Sequence, residues 1–178
     1  MKLKKIILSG IFIAIAIILP FFTGQIPQIG AMISPMHIPA LLCGFVCGWP
    51  YGAITGFISP LFRSILTGGF PPMFPTAIAM AFELFGYGAF TALFSKLFGK
   101  GTKGIYISLI LSMILGRLIW GAVMFVLTIA GGSTFTFALF VAGAFTNAIP
   151  GIVIHIVIIP FIVIMFKKAG IINEKDNR

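Results

Sequence analysis

The sequence predicts an all-α membrane protein, a compact bundle of six transmembrane helices with both termini in the cytoplasm. Three observations predict it. Of 178 residues, 60% are hydrophobic and only 8% are charged, against about 25% charged in soluble domains. The apolar residues gather into runs separated by Gly/Pro-rich breaks. Finally, the loop lysines and arginines all fall on one side of a six-span layout. Lys2, Lys4 and Lys5 precede the first run, Lys96, Lys100 and Lys103 lie between the fourth and fifth, and Lys167, Lys168, Lys175 and Arg178 follow the sixth. The three outer loops carry none, and neither does the short turn at Trp49-Pro50. Cytoplasmic loops hold the Lys/Arg excess, so the basic ends face inward. Residues 1–178 are expected to form a single domain.

A span needs about 20 apolar residues. The first helix is expected near 4–22, ended by Pro20 and Gly24. Its lysine-led start resembles a signal peptide, but Pro20-Phe21-Phe22 follows where a small-residue cleavage site belongs, so it reads as an uncleaved span. Residues 23–34 form an outer loop. A short second helix, 35–48, turns at Trp49-Pro50 into a third, 51–66. After the outer loop 67–74, Pro75 suits the first turn of a fourth helix, 75–96. The fifth spans 104–129, Gly131-Gly132 opens the third outer loop, and the sixth covers 137–166, with kinks expected at Pro150 and Pro160.

The formal net charge of +9 lies at helix ends, where it orients spans and meets anionic lipid. Nucleic acid is therefore not expected as a partner. Cys43 and Cys47, with no His or acid near in sequence, read as packing residues, not as a metal site. No zinc-protease motif, nucleophile elbow or phosphate loop is present, so neither catalysis nor a cofactor is expected. No internal repeat points to an inverted-repeat carrier.

Charge inside apolar segments is costly and marks function or pairing. Arg63, Glu83 and Arg117 lie there, with Asn147 about three turns along the sixth helix and His37 at the outer start of the second. Tyr87 stands one turn from Glu83 on the same face. Two readings stay open. In one, Glu83 only pairs with Arg117 or Arg63 and holds helices in register. In the other, these groups line an outward-facing pocket covered by the Phe70, Phe74 and Phe135 loops. His155 reads as bonded to a neighbouring helix. Small residues recur at spacing four: Gly44, Gly48, Gly52 and Gly56 suit internal packing, while Gly10 and Ala14, on the terminal helix, suit either packing or docking of another membrane protein.

Met36-His37-Ile38-Pro39, Phe57-Ile-Ser-Pro-Leu-Phe-Arg63-Ser64, Thr76-Ala-Ile-Ala-Met-Ala-Phe-Glu83 and Ala144-Phe-Thr-Asn147-Ala-Ile-Pro150-Gly151 resemble blocks of the substrate-binding (S) components of energy-coupling factor (ECF) vitamin transporters. The resemblance covers residues 5–166. It implies high-affinity capture of a vitamin from outside a bacterial cell membrane. It also implies docking through the first helix, here Gly10 and Ala14, onto a transmembrane coupling subunit worked by two cytoplasmic ATPases. The blocks look closest to the pyridoxine or hydroxymethylpyrimidine branch. The substrate-binding residues expected on this basis and on charge are His37, Arg63, Phe74, Glu83, Tyr87, Arg117 and Asn147. The two arginines keep a carboxylate such as pantothenate's open as substrate. A gradient-driven carrier and a purely structural membrane protein are the competing classes.

Overall fold

The computed structural model describes residues 2–23 and 32–172, and within them every regular element is helical. The chain runs through α1 (Lys2–Ile18), a 3₁₀ turn (Leu19–Thr23), α2 (His37–Cys47) and α3 (Trp49–Leu66). A π-helical turn (Met73–Ala77) leads into α4 (Ile78–Leu97), followed by α5 (Thr102–Ala130). A short α6 (Phe137–Val141), a second π turn (Ala142–Thr146) and α7 (Ile149–Lys168) close it. Four apolar lengths are long enough to cross a membrane: Lys2–Phe22, Met73–Leu97, Thr102–Ala130 and Phe137–Lys168. The expected loop 23–34 falls largely outside the described residues, as do Gly24, Lys175 and Arg178.

The elements differ from the sequence reading at three points, each with a local cause. The reversal between α2 and α3 occurs at Gly48, whose φ of 98° a side chain would resist. Trp49 and Pro50 then open α3, with Pro in its first turn, where a missing N–H costs nothing. The fourth helix becomes α-helical at Ile78 instead of 75, because a π turn over Met73–Ala77 precedes it; Phe74, at the end of the expected loop, is non-helical (φ −112°, ψ 135°). The sixth length is not one helix: the π turn at Ala142–Thr146 interrupts it, and Pro150 begins α7 instead of kinking it.

At 11 residues, α2 is about 16 Å long, and it can be short because it lies inside the bundle. Ten of its residues are buried, among α1, α3, α4 and α7. Its Leu41, Leu42, Phe45 and Val46 join Tyr87, Ile105, Leu109, Met113, Ile159 and Val163 in the main core. Glycines let α2, α3 and α4 approach backbone to backbone. A Cβ on Gly52 would stand 2.6 Å from the Gly88 carbonyl oxygen, and one on Gly56 or Gly88 would run into the facing main chain. Cys43 and Cys47 are free, buried thiols; Cys43 Sγ lies 3.3 Å from Thr55 Oγ1.

α1 is the least covered long helix. Only Phe12 and Ala16 are buried, while Leu3, Ile6, Ile7, Ile11, Ile15 and Ile18 are exposed. At the opposite end of the chain, Lys167 Nζ donates to the Lys100 carbonyl at 3.3 Å, so the lysine-bearing α4–α5 turn meets the end of α7.

Candidate functional site

Four stretches of chain converge on one cavity of about 150 Å³. The segment before α2 and its first residue supply Ser34 and His37. The α4 arm supplies Thr76, Met80 and Glu83, at spacings of four and three that keep them on one helix face. α5 supplies Arg117 and Trp120, again three apart. The second π turn and the start of the segment leading to α7 supply Gly143, Ala144 and Ala148.

Glu83 is the acidic member and is 5% exposed. Its Oε2 lies 3.4 Å from His37 Nε2, and its Oε1 accepts from the Tyr87 hydroxyl at 2.9 Å. Among the described residues its close basic neighbour is thus His37, not Arg63 or Arg117. Tyr87 stands behind Glu83, its ring against Gly116, where a Cβ would collide with it. Arg117 donates through Nη1 to the Ala144 carbonyl, a tie from α5 to the π turn. Its Nε is buried with no partner among the described residues, as is His37 Nδ1.

The wall beside His37 is held from behind. The ring of His155 stacks on that of His37 at 6.0 Å, and its Nε2 is 3.3 Å from the Ser34 carbonyl oxygen. Ser34 has φ 49°, a conformation that costs a non-glycine residue about 1–3 kcal/mol and persists only where its surroundings enforce it. Gly151 leaves room for the chain just before it: a Cβ there would crowd the carbonyls of Met32 and Ile33. Trp120 forms the outer wall, with Phe140 stacked on it at 6.5 Å and Phe135 edge-on at 6.1 Å.

Four residues expected at the site do not line the cavity: Tyr87, which stands behind Glu83, and Arg63, Asn147 and Phe74, which lie elsewhere. Arg63 is buried, but its Nη1 donates to the Ile17 carbonyl at 2.6 Å and its guanidinium lies over the Phe21 ring, 4.9 Å from the centroid. It ties α3 to the end of α1. Asn147 is exposed and comes just after the π turn; the depth expected for it assumed an unbroken helix from residue 137. Phe74 is half-exposed, beside Gly131 at the end of α5. Conversely, Trp120, Thr76 and Met80 share faces with Arg117 and Glu83, and that spacing was available in the sequence. Ser34 and Ala144 contribute backbone, which leaves no signature in side-chain chemistry.

The described residues thus form a strongly apolar helical bundle with a small, half-open cavity that carries opposite charges in its wall. The chain matches the family model described as "ECF transporter, substrate-specific component" over residues 4–163. It belongs to that family, the substrate-binding subunits of ECF transporters, which capture vitamin-type substrates and associate with an ECF module. No curated protein and no solved structure matches the chain significantly.

Proposed function

We propose that the chain spans a bacterial cell membrane six times with both termini in the cytoplasm. It takes a single-ring vitamin or precursor of pyridoxine or hydroxymethylpyrimidine type from outside. It delivers it through an ECF coupling subunit powered by two cytoplasmic ATPases. The observation that carries the substrate reading is the size and polarity of the cavity. A cavity of about 150 Å³ takes one benzene-sized ring, and this half-open cavity has that volume. A wall containing His37, Glu83 and Arg117 suits a ring that carries both polar donors and acceptors. In this reading α1 is the docking helix, through its exposed Gly10 and Ala14. Arg63, Phe74, Tyr87 and Asn147 are left out of the ligand contacts because none of them lines the cavity.

Pantothenate remains the second reading, because Arg117 Nε has no partner among the described residues and a carboxylate would supply one. The test is mass spectrometry of the ligand that co-purifies with the protein, followed by calorimetric titration with pyridoxine, hydroxymethylpyrimidine and pantothenate. Tight binding of one of the first two is expected. Binding of pantothenate alone would overturn the single-ring reading. Uptake into liposomes that lack the ATPase subunits would replace the ATP-driven mechanism with a gradient-driven one.

A further inference from the structure

The two charged ends of the cavity are not equally satisfied, and the imbalance bears on what the ligand must bring. Each Glu83 oxygen already has a protein neighbour, His37 Nε2 for one and the Tyr87 hydroxyl for the other. Arg117 is different. It is 4% exposed, lines the cavity, commits Nη1 to the Ala144 carbonyl and leaves Nε without a partner among the described residues. A guanidinium N–H can only donate, and a buried donor left unpaired is rare enough in folded proteins to need an explanation. His37 Nδ1 is a second unpaired nitrogen in the same wall. With Nε2 facing Glu83, Nδ1 accepts when the ring is neutral and donates when it is protonated. A hydroxyl serves either state.

We infer that the ligand is recognised by an acceptor on its ring, a ring nitrogen or a ring-bound oxygen, received by Arg117, with an adjacent hydroxyl at His37. Glu83 then acts as a positioning residue that holds the His37 ring and Tyr87. This rests on the proposed single-ring substrate and adds to it the polarity of the bound edge. The same wall also selects by shape. Trp120 lies against the backbone at Gly143, where even a Cβ would stand 2.7 Å from its indole, and Phe135 and Phe140 pack on it as well, so the indole is held in place in the cavity wall.

The test uses the full chain in lipid nanodiscs and two matched pairs of probes. One pair is hydroxymethylpyrimidine and its counterpart with both ring nitrogens replaced by CH. The other is pyridoxine and 3-deoxypyridoxine. Loss of the acceptor is expected to weaken binding by about ten- to a hundredfold, the range for a lost hydrogen bond to a charged group. In Arg117→Met that penalty should fall to within a fewfold, while in Glu83→Gln it should persist. Equal binding of both members of each pair to the wild type would overturn the inference, and this comparison stands even where a variant fails to insert. So would a penalty that survives in Arg117→Met and vanishes in Glu83→Gln, which would make Glu83 the reader. If none of the four probes binds the wild type, the single-ring reading itself falls and takes this inference with it.

Discussion

Tyr87 and Glu83 stand one helical turn apart, and their hydrogen bond at 2.9 Å is wholly inside the bundle. Tyr87→Phe removes one oxygen and leaves the ring against Gly116, so packing is kept and a donor to a buried carboxylate is lost. Such bonds are worth about 1.5–3 kcal/mol. Tyr87→Phe should therefore lower the melting temperature in detergent, and an unchanged melting curve would show the bond to be idle. Charge among apolar residues is what made Glu83 and Arg117 legible in the sequence. Arg63 carries the same signature and yet serves the α1–α3 contact, through Ile17 and Phe21. The sequence reports that a charge is inside; the direction it faces around its helix is settled by which neighbours pack there. Backbone groups such as the Ala144 carbonyl could not be read at all, since every residue carries one.

At the scale of elements, the recurrence of glycine was legible as close packing: Gly44 of α2 and Gly52 of α3 both meet Gly88 of α4, whereas Gly48 between them serves the reversal and not a helix contact. The obstacle to a larger residue is main chain, not a side chain that could swing away. Gly88→Ala should force α3 and α4 apart and cost about 1–3 kcal/mol, the usual range for overpacking. Gly10→Ala, with nothing within 4 Å of the new Cβ, is the matched control and should melt as wild type does. Similar curves for the two variants would mean that the α3–α4 contact yields easily. The π turn at Ala142–Thr146 was not legible. Its residues suit an α-helix, and the break is visible only in the hydrogen bond from Asn147 N to the Ala142 carbonyl, five residues back. An unbroken helix would carry Asn147 into the bundle, while the structure leaves it exposed. Such turns recur at functional sites, and this one presents the carbonyl that Arg117 takes.

Across the whole molecule, the cavity and the exposed face of α1 are separate surfaces. The cavity wall is made by α2, α4, α5 and the turn before α7, and no residue of α1 lines it. Ile6, Ile7, Ile11 and Ile15 instead flank Gly10 and Ala14 in an outward apolar face. Small residues amid such a face let a second helix come close. If α1 is the face presented to the coupling subunit, binding and delivery are separable by mutation. Gly10→Leu or Ala14→Leu adds bulk on this outward face, with open space at Gly10, so folding and ligand affinity of the isolated protein should remain at wild-type level. Uptake by the assembled transporter should be lost, because the added side chain holds the partner helix away. Calorimetry on the isolated variant and radiolabelled uptake in proteoliposomes containing the full ECF module measure the two effects apart. Parallel loss of binding and uptake would place α1 in the support of the cavity, through the Arg63 tie to Ile17. Retention of both would move the docking surface to another face.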